Sequence, residues 1–235
     1  MRPLPISYKE TEAIFQRVVT SGTHRVLFAS AEANEGTSTI AYALAQRLAA
    51  SGRKILFVDF KSSSSYPTRA LAMAPSDWDM KSMKQLPIVG IPNSCLSILA
   101  APPEGFHVMD ERDRRQIDEL FAFWAHDYEF IIGDAPCLVQ PSSVDLPPDL
   151  LAAAFDHVLL VILSASTSMN AVEAAVRRLR EANAEILGVI MNDRELPALK
   201  QELLRQTNRI QAFLPRISLA LTKRVKRAAV LNVDF

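Results

Sequence analysis

The sequence predicts an α/β fold: a doubly wound, mostly parallel sheet of about seven strands with helices on both faces. Three observations predict it. Short apolar runs alternate along the chain with stretches whose apolar residues recur every three or four positions. Several of those runs are nearly continuous in Val, Ile, Leu and Phe, as expected of strands covered on both faces. Two of the runs end in an aspartate and a third runs into a loop carrying glycine and hydroxyl residues, so polar chemistry is delivered to one edge of the sheet.

Taken in order, residues 6–20 read as a helix outside the sheet. Strands are expected at 26–30, 55–59, 96–100, 130–134, 158–163 and 186–191, with a seventh at 210–214. In the helical stretch 40–50, Ile40, Ala43, Leu44 and Leu48 share one face, and Gly52 is placed to cap its C-terminus. In 113–125, Ile117, Leu120, Phe121 and Trp124 form one stripe, more suited to a core than to stacking on a ligand. In 171–182, Val172, Val176 and Leu179 do the same, ending near Asn183. Strands alternating with such helices imply right-handed crossovers. Residues 62–93, with four consecutive serines and several prolines, read mostly as loop with a helix near 68–73, and 141–148 reads as a second loop. No internal repeat is visible. The domain reading is a single domain over 1–235, with an N-terminal helix at about 6–20 and a basic C-terminal helical segment at about 216–230.

With 235 residues the chain can bury a large α/β core. Its formal net charge is zero, which gives no global preference for nucleic acid or membrane. The charge is uneven: residues 194–235 hold nine Lys/Arg against three Asp/Glu, net +6, and the remainder holds 17 against 23, net −6. Such a split marks either an interaction surface or solvated helix faces. Cys95 and Cys137 lie far apart, and the four histidines are scattered, so neither a disulfide framework nor a zinc site is suggested. The first ten residues do not resemble a signal peptide, and no apolar run reaches the about 18 residues of a membrane span. The expected location is cytoplasmic, with a peripheral position at the inner membrane as an extension of that reading.

The chemistry concentrates at Glu35-Gly36-Thr37-Ser38-Thr39, between the first strand and the first strand-linking helix. This is the layout of a phosphate-binding loop, G-x-x-x-x-G-K-[ST], in which backbone N–H groups and a helix N-terminus cradle phosphate. Gly36, Ser38 and Thr39 fit the pattern. The lysine position is Thr37, and the first glycine position is Ala31. The loop lysine normally spans the β- and γ-phosphates and the following hydroxyl ligates Mg²⁺. Ser38 can therefore serve a metal, whereas Thr37 supplies no charge to a phosphoryl transition state. Ser38 and Thr39 have a plainer reading as helix caps. The strand Ile55-Leu56-Phe57-Val58-Asp59 and the strand Phe130-Ile131-Ile132-Gly133-Asp134 each deliver a carboxylate to the same edge, where Mg²⁺ and an attacking water would sit. Asp59 and Asp134 are the candidate catalytic residues, and with Ser38 the candidate metal ligands.

These stretches resemble the MinD/ParA branch of P-loop ATPases, and within it the bacterial tyrosine kinases of exopolysaccharide systems. Such kinases carry a loop like P-G-E-G-K-S-T, a strand like L-L-I-D-A-D-L-R, then I-I-D-T-P-P. The matching stretches are Ala33 to Thr39, Leu56 to Lys61 and Ile131 to Pro136, and Gly188-Val189-Ile190-Met191-Asn192 is similar to the family's late strand G-V-V-x-N. Phe213-Leu214-Pro215 is similar to its final strand. The resemblance covers roughly residues 5–230 and implies a P-loop NTPase-like fold that binds ATP and Mg²⁺, with Asn192 at the adenine. The departures bear on activity. Thr37 replaces the lysine, Ala33-Asn34 replaces the loop Pro-Gly, and Lys61 replaces the second carboxylate of the D-x-D pair. The C-terminal tyrosine cluster is missing, the tyrosines being Tyr8, Tyr42, Tyr66 and Tyr128, and the N-terminal E-x-x-R-x-x-R oligomerisation pattern is not kept around Glu10 to Arg17. The accessory ATPases of cellulose secretion also resemble a P-loop with threonine at the lysine position, which keeps nucleotide binding open.

The leading expectation is a degenerate, kinase-like accessory protein of bacterial polysaccharide export, of the holdfast or capsule type, docked on a membrane-embedded co-polymerase. The alternative is an active ATPase or tyrosine kinase in which Lys61 reaches the phosphates from the second strand; the plainer reading of Lys61 is an ordinary loop residue. A third is a MinD/ParA-like positioning protein that binds membrane or DNA through Lys223, Arg224, Lys226 and Arg227. Nucleic acid ranks last among the partners, and monomer and homodimer both stay open.

Overall fold

The strongest apolar runs of the chain become the middle of one sheet. In a computed structural model, residues 4–5, 7–62, 66–71, 73, 78, 86–102, 105–106 and 114–194 are described, and the sheet and its helices belong to the unit Met1–Asn192. Its elements are α1 (Lys9–Thr20), β1 (Arg25–Ser30), α2 (Thr37–Ala49), β2 (Ile55–Asp59), α3 (Tyr66–Ala70), β3 (Val89–Gly90), β4 (Leu96–Leu99), α4 (Arg114–Trp124), β5 (Phe130–Asp134), α5 (Pro148–Ala154), β6 (His157–Leu163), α6 (Met169–Glu181) and β7 (Ile186–Asn192). The sheet has seven strands in the order β3-β4-β2-β5-β1-β6-β7. Every neighbouring pair is parallel except β3 with β4. This is the doubly wound, P-loop NTPase-like architecture.

Side-chain alternation along the central strands fills two cores, one per face. Val26 and Phe28 of β1, Ile55 and Phe57 of β2, Ile132 of β5 and Val161 of β6 join Phe15 and Val18 of α1 and Ile40, Leu44 and Leu48 of α2. Leu27 and Ala29, Leu56 and Val58, Ile131, and Val158 and Leu160 join the stripe of α4, then Leu151 of α5 and Leu179 of α6. The α4 stripe is the one its spacing predicts: Ile117, Leu120, Phe121 and Trp124 are all buried, at about 1.5–3 kcal/mol each for a side chain of this size. Helix α1 lies outside the sheet against α2, where the Arg47 guanidinium is 2.7 Å from Glu12 Oε2 and sits 4.0 Å above the Phe15 ring.

Two elements depart from expectation. The strand completing the described sheet is β3, inside a stretch read as loop, and it spans two residues, too short for any periodicity. Helix α5 follows the expected loop, with Pro148 at a first-turn position where a missing N–H costs nothing. Leu150, Leu151 and three alanines then favour a helix. The expected strand at 210–214, the Phe213-Leu214-Pro215 stretch and the basic segment at 216–230 lie outside the described residues, as does part of 62–93. Among the described residues no helix is long and apolar enough to cross a membrane.

Candidate nucleotide site

The sheet order sets β1 between β5 and β6. The loop after β1 leads into α2 on one face of the sheet, whereas the loops after its neighbours β5 and β6 lead into α5 and α6 on the other, and doubly wound sheets bind ligands where the connections part in this way. The register brings the carboxylates together: Asp59 of β2 is the direct partner of Asp134 of β5, and Asp134 is level with Phe28 of β1. Gly133 fixes how β5 passes here. A Cβ on it would stand 2.5 Å from Phe155 Cζ and 2.8 Å from Leu27 Cδ1, so only glycine lets the strand lie this close to both.

The loop itself is built by backbone conformation. Asn34 and Gly36 have φ of +65° and +89°, the left-handed region that glycine and asparagine tolerate best. Gly36 is the N-cap of α2, and its carbonyl accepts from Thr39 N and Ile40 N, each at 3.1 Å. The first N–H groups of α2, on Thr37 and Ser38, have no intrahelical acceptor, the feature that suits a helix start to an anion. Thr37 is buried and Ser38 half-buried.

One flank of the loop is braced by groups that sequence patterning did not connect. Glu35 is buried; its Oε2 accepts from Glu32 N at 3.1 Å and its Oε1 from the Thr167 hydroxyl in a short contact. Thr167 Oγ1 in turn accepts from Leu163 N at 2.9 Å, at the end of β6. Asn192, at the end of β7, donates from Nδ2 to the Glu35 carbonyl at 2.8 Å. Asn192 thus reaches the loop backbone. No motif marked Thr167, which lies in a hydroxyl-rich turn like many others.

The other flank carries the charge. Lys61 Nζ is 2.7 Å from Ser38 Oγ, to which it donates, and 2.6 Å from Asp134 Oδ1. The Lys61 side chain is 18% exposed and that of Asp134 is 0% exposed. Burial pushes the Asp134 carboxyl above its usual range, and the Lys61 ammonium and Ser38 hydroxyl oppose that push without cancelling it. Asp59 is buried too, and its Oδ1 accepts from Lys61 N at 3.1 Å, closing an Asx turn at the end of β2. Lys61 is therefore a member of the constellation, not an incidental loop residue. Asp145, which sequence patterning did not single out, accepts from Ser62 N at 2.8 Å and fixes the next turn.

Ser38, Asp59 and Asp134 lie at one edge of the sheet, with Glu35, Gly36, Thr37 and Thr39 in the loop and first turn beside them and Asn192 bonded to the loop at Glu35. The backbone fits a phosphate group. The metal ligands do not fit Mg²⁺ in this arrangement, because an ammonium already holds the Ser38 hydroxyl and the Asp134 carboxylate. Among the described residues no cluster of three or more His, Cys, Asp or Glu is placed to hold a metal.

No protein-family model matches the chain, and no curated protein sequence matches it. Solved structures do. The chimerical protein CapA2B2 superposes with a TM-score of 0.67 at 20% identity, covering 78% of this chain and 83% of its own. The kinase domain of the Escherichia coli tyrosine kinase ETK superposes with a TM-score of 0.66 at 17% identity, over 82% of this chain and 81% of that domain. The septum site-determining protein MinD from Pyrococcus horikoshii, complexed with Mg-ADP, gives a TM-score of 0.55 at 20% identity, over 72% and 70% of the two chains. The chain shares the fold of the ETK kinase domain, of CapA2B2 and of MinD.

Proposed function

We propose that the chain is a nucleotide-binding P-loop protein that has lost efficient phosphoryl transfer and serves bacterial polysaccharide export as an accessory subunit. The observation that carries the loss of turnover is the Lys61 ammonium held between Ser38 and Asp134 beside a buried, neutral Thr37. Groups that would act on phosphate and metal in an active relative are committed to one another, and losing even one hydrogen-bond donor aimed at the transition state typically costs about 10²–10³ in rate. Nucleotide binding is supported by the left-handed Gly36, the open first turn of α2 and the likeness to a protein solved with Mg-ADP. The polysaccharide role rests on the likeness to kinase domains such as ETK's and on the motif resemblance. In this reading the 1–235 domain docks on the cytoplasmic face of a membrane co-polymerase, as monomer or homodimer, with the basic 216–230 segment available to acidic lipid. A MinD-type positioning role is the second reading, favoured by the likeness to MinD.

Calorimetric titration with ATP and ADP, beside a phosphate-release assay, tests the first half. Binding is expected, weakened in Ser38→Ala, with release at background. Sustained release abolished by Asp134→Ala would restore the active-enzyme reading. Polysaccharide export in a deletion strain tests the second half: Ser38→Ala is expected to restore it as wild type does. Export unaffected by the deletion, with salt-sensitive vesicle binding lost on neutralising Lys223, Arg224, Lys226 and Arg227, would favour the positioning role.

A further inference from the structure

We infer that the Lys61 ammonium takes the place of a divalent cation in this chain, closing the Ser38–Asp134 pair to Mg²⁺ and leaving a phosphate group to be bound without metal. The second half rests on the nucleotide reading above; the first stands on geometry alone.

A fully buried carboxylate needs a counter-charge. At the edge of a P-loop sheet a metal can supply it, through the loop hydroxyl and the strand-end carboxylate. Here Lys61 Nζ meets those two groups, at 2.7 Å and 2.6 Å. Its backbone leaves it little freedom to withdraw. Lys61 N is held by Asp59 Oδ1 at 3.1 Å and Phe60 N by the Asp134 carbonyl at 3.0 Å, so the side chain starts from a pinned turn. A dication and an ammonium cannot share this place, because their repulsion is strong where water is scarce.

An ammonium carries three donors. The described residues account for two, on Ser38 and Asp134. The third meets no acceptor among the described residues and can reach a phosphate oxygen at the start of α2, where lysine serves as a compact point charge. The positive charge absent from Thr37 is thus supplied one strand away, but half-neutralised by Asp134. Such a site holds a phosphate weakly and without metal.

The deciding experiment titrates Mn²⁺ alone into the full chain and into Lys61→Ala, read by the paramagnetic signal of free Mn²⁺. The wild type is expected to bind at least about a hundredfold more weakly than Lys61→Ala, and adding Asp134→Asn to that variant should abolish the gain. Wild-type Mn²⁺ binding that is lost in Asp134→Asn overturns the inference, and that titration needs no Lys61 variant to fold. Absence of Mn²⁺ binding in a folded Lys61→Ala overturns it as well, since the lysine would not be what excludes metal. ADP is then titrated into the wild type with Mg²⁺ or with chelator. Equal affinity supports metal-free binding, and binding only with Mg²⁺ overturns it. Failure of ADP to bind under either condition rejects the nucleotide reading, while the Mn²⁺ result still decides whether Lys61 excludes metal.

Discussion

Two aspartate–cation pairs stand at opposite edges of the same sheet and behave in opposite ways. At the edge where β1 and β6 begin, Asp156 accepts from Arg25 Nε at 2.7 Å, with Nη2 2.5 Å away, and from the backbone N–H groups of His24 and Arg25 at 3.1 Å and 2.9 Å. Burial is the largest single influence and pushes its carboxyl up, yet Arg25 and the two N–H groups together bring it below the usual carboxylate range. At the other edge Asp134 has one ammonium and one hydroxyl, no exposure, and a carboxyl held above that range. Number of donors and access to water decide which influence wins. The first pair ties two strands together and favours the fold. The second opposes it, which is the expected mark of a site kept for binding rather than for stability.

Removing the cation at the functional edge should have the largest effect. Lys61→Ala leaves a buried carboxylate uncompensated, and loss of one partner from a buried pair typically costs about 3–5 kcal/mol. Adding Asp134→Asn should return most of it, measured as the denaturant midpoint at constant slope. The pH dependence has a defined sign. A carboxyl raised in the folded state contributes stability that is full below its unfolded pKa and lost as pH rises through its folded one. Lys61→Ala should therefore fall further behind wild type on going from acid to neutral pH, and a gap that does not widen with pH would place Asp134 among the ordinary, solvated carboxylates.

The same contrast explains what was legible in the sequence. The central strands and α2, α4 and α6 were readable because continuous Val/Ile/Leu/Phe runs and helical stripes leave few other ways to bury so much apolar surface. Two-residue β3 carries no period, and α5 hides behind Pro147 and Pro148, which read as loop residues until one takes the helix start. At the site, Ser38, Asp59 and Asp134 were legible because each ends a strand or opens a helix at a fixed motif position. Lys61 was visible as a departure, but its partners were not. Which groups an ammonium meets depends on the β2–β5 register that sets Asp59 beside Asp134. Thr167 and Asn192 meet Glu35 across 132 and 157 residues of chain, a distance no local pattern spans.

An intermediate effect should come from the structural edge. Asp156→Asn keeps an acceptor but removes the charge that Arg25 and two N–H groups face, and about 1 kcal/mol is expected, since the pair is partly solvated. A carboxyl lowered in the folded state contributes stability above its unfolded pKa and loses it as pH falls through the folded value. The gap between wild type and Asp156→Asn should be full at neutral pH and close in acid, the same direction as the Lys61→Ala gap but from the loss of a lowered carboxyl instead of the further raising of a raised one. A gap that does not change with pH would mean the substitution acts through packing.

The smallest effect belongs to a third pair, which tests whether solvent access alone explains the trend. Glu12 and Arg47 join α1 to α2 at 2.7 Å, against 2.5 Å and 2.6 Å for the other two pairs, and Gln16 also donates to Glu12 at 2.9 Å. Hydrogen bonds from Arg47 and Gln16 hold the Glu12 carboxyl below its usual value, so its contribution, like that of Asp156, is lost as pH falls. Water competes for every one of those contacts, however, and the Arg47 guanidinium keeps its place over Phe15 whether or not Glu12 is charged. Glu12→Gln should shift the thermal midpoint less than Asp156→Asn, and the shift should vanish near 1 M salt, where the screening length falls to about 3 Å. The Lys61→Ala deficit should survive that salt. A salt-resistant Glu12→Gln deficit would mean that the Glu12 carboxylate acts through hydrogen bonds shielded from water and not as a solvated charge.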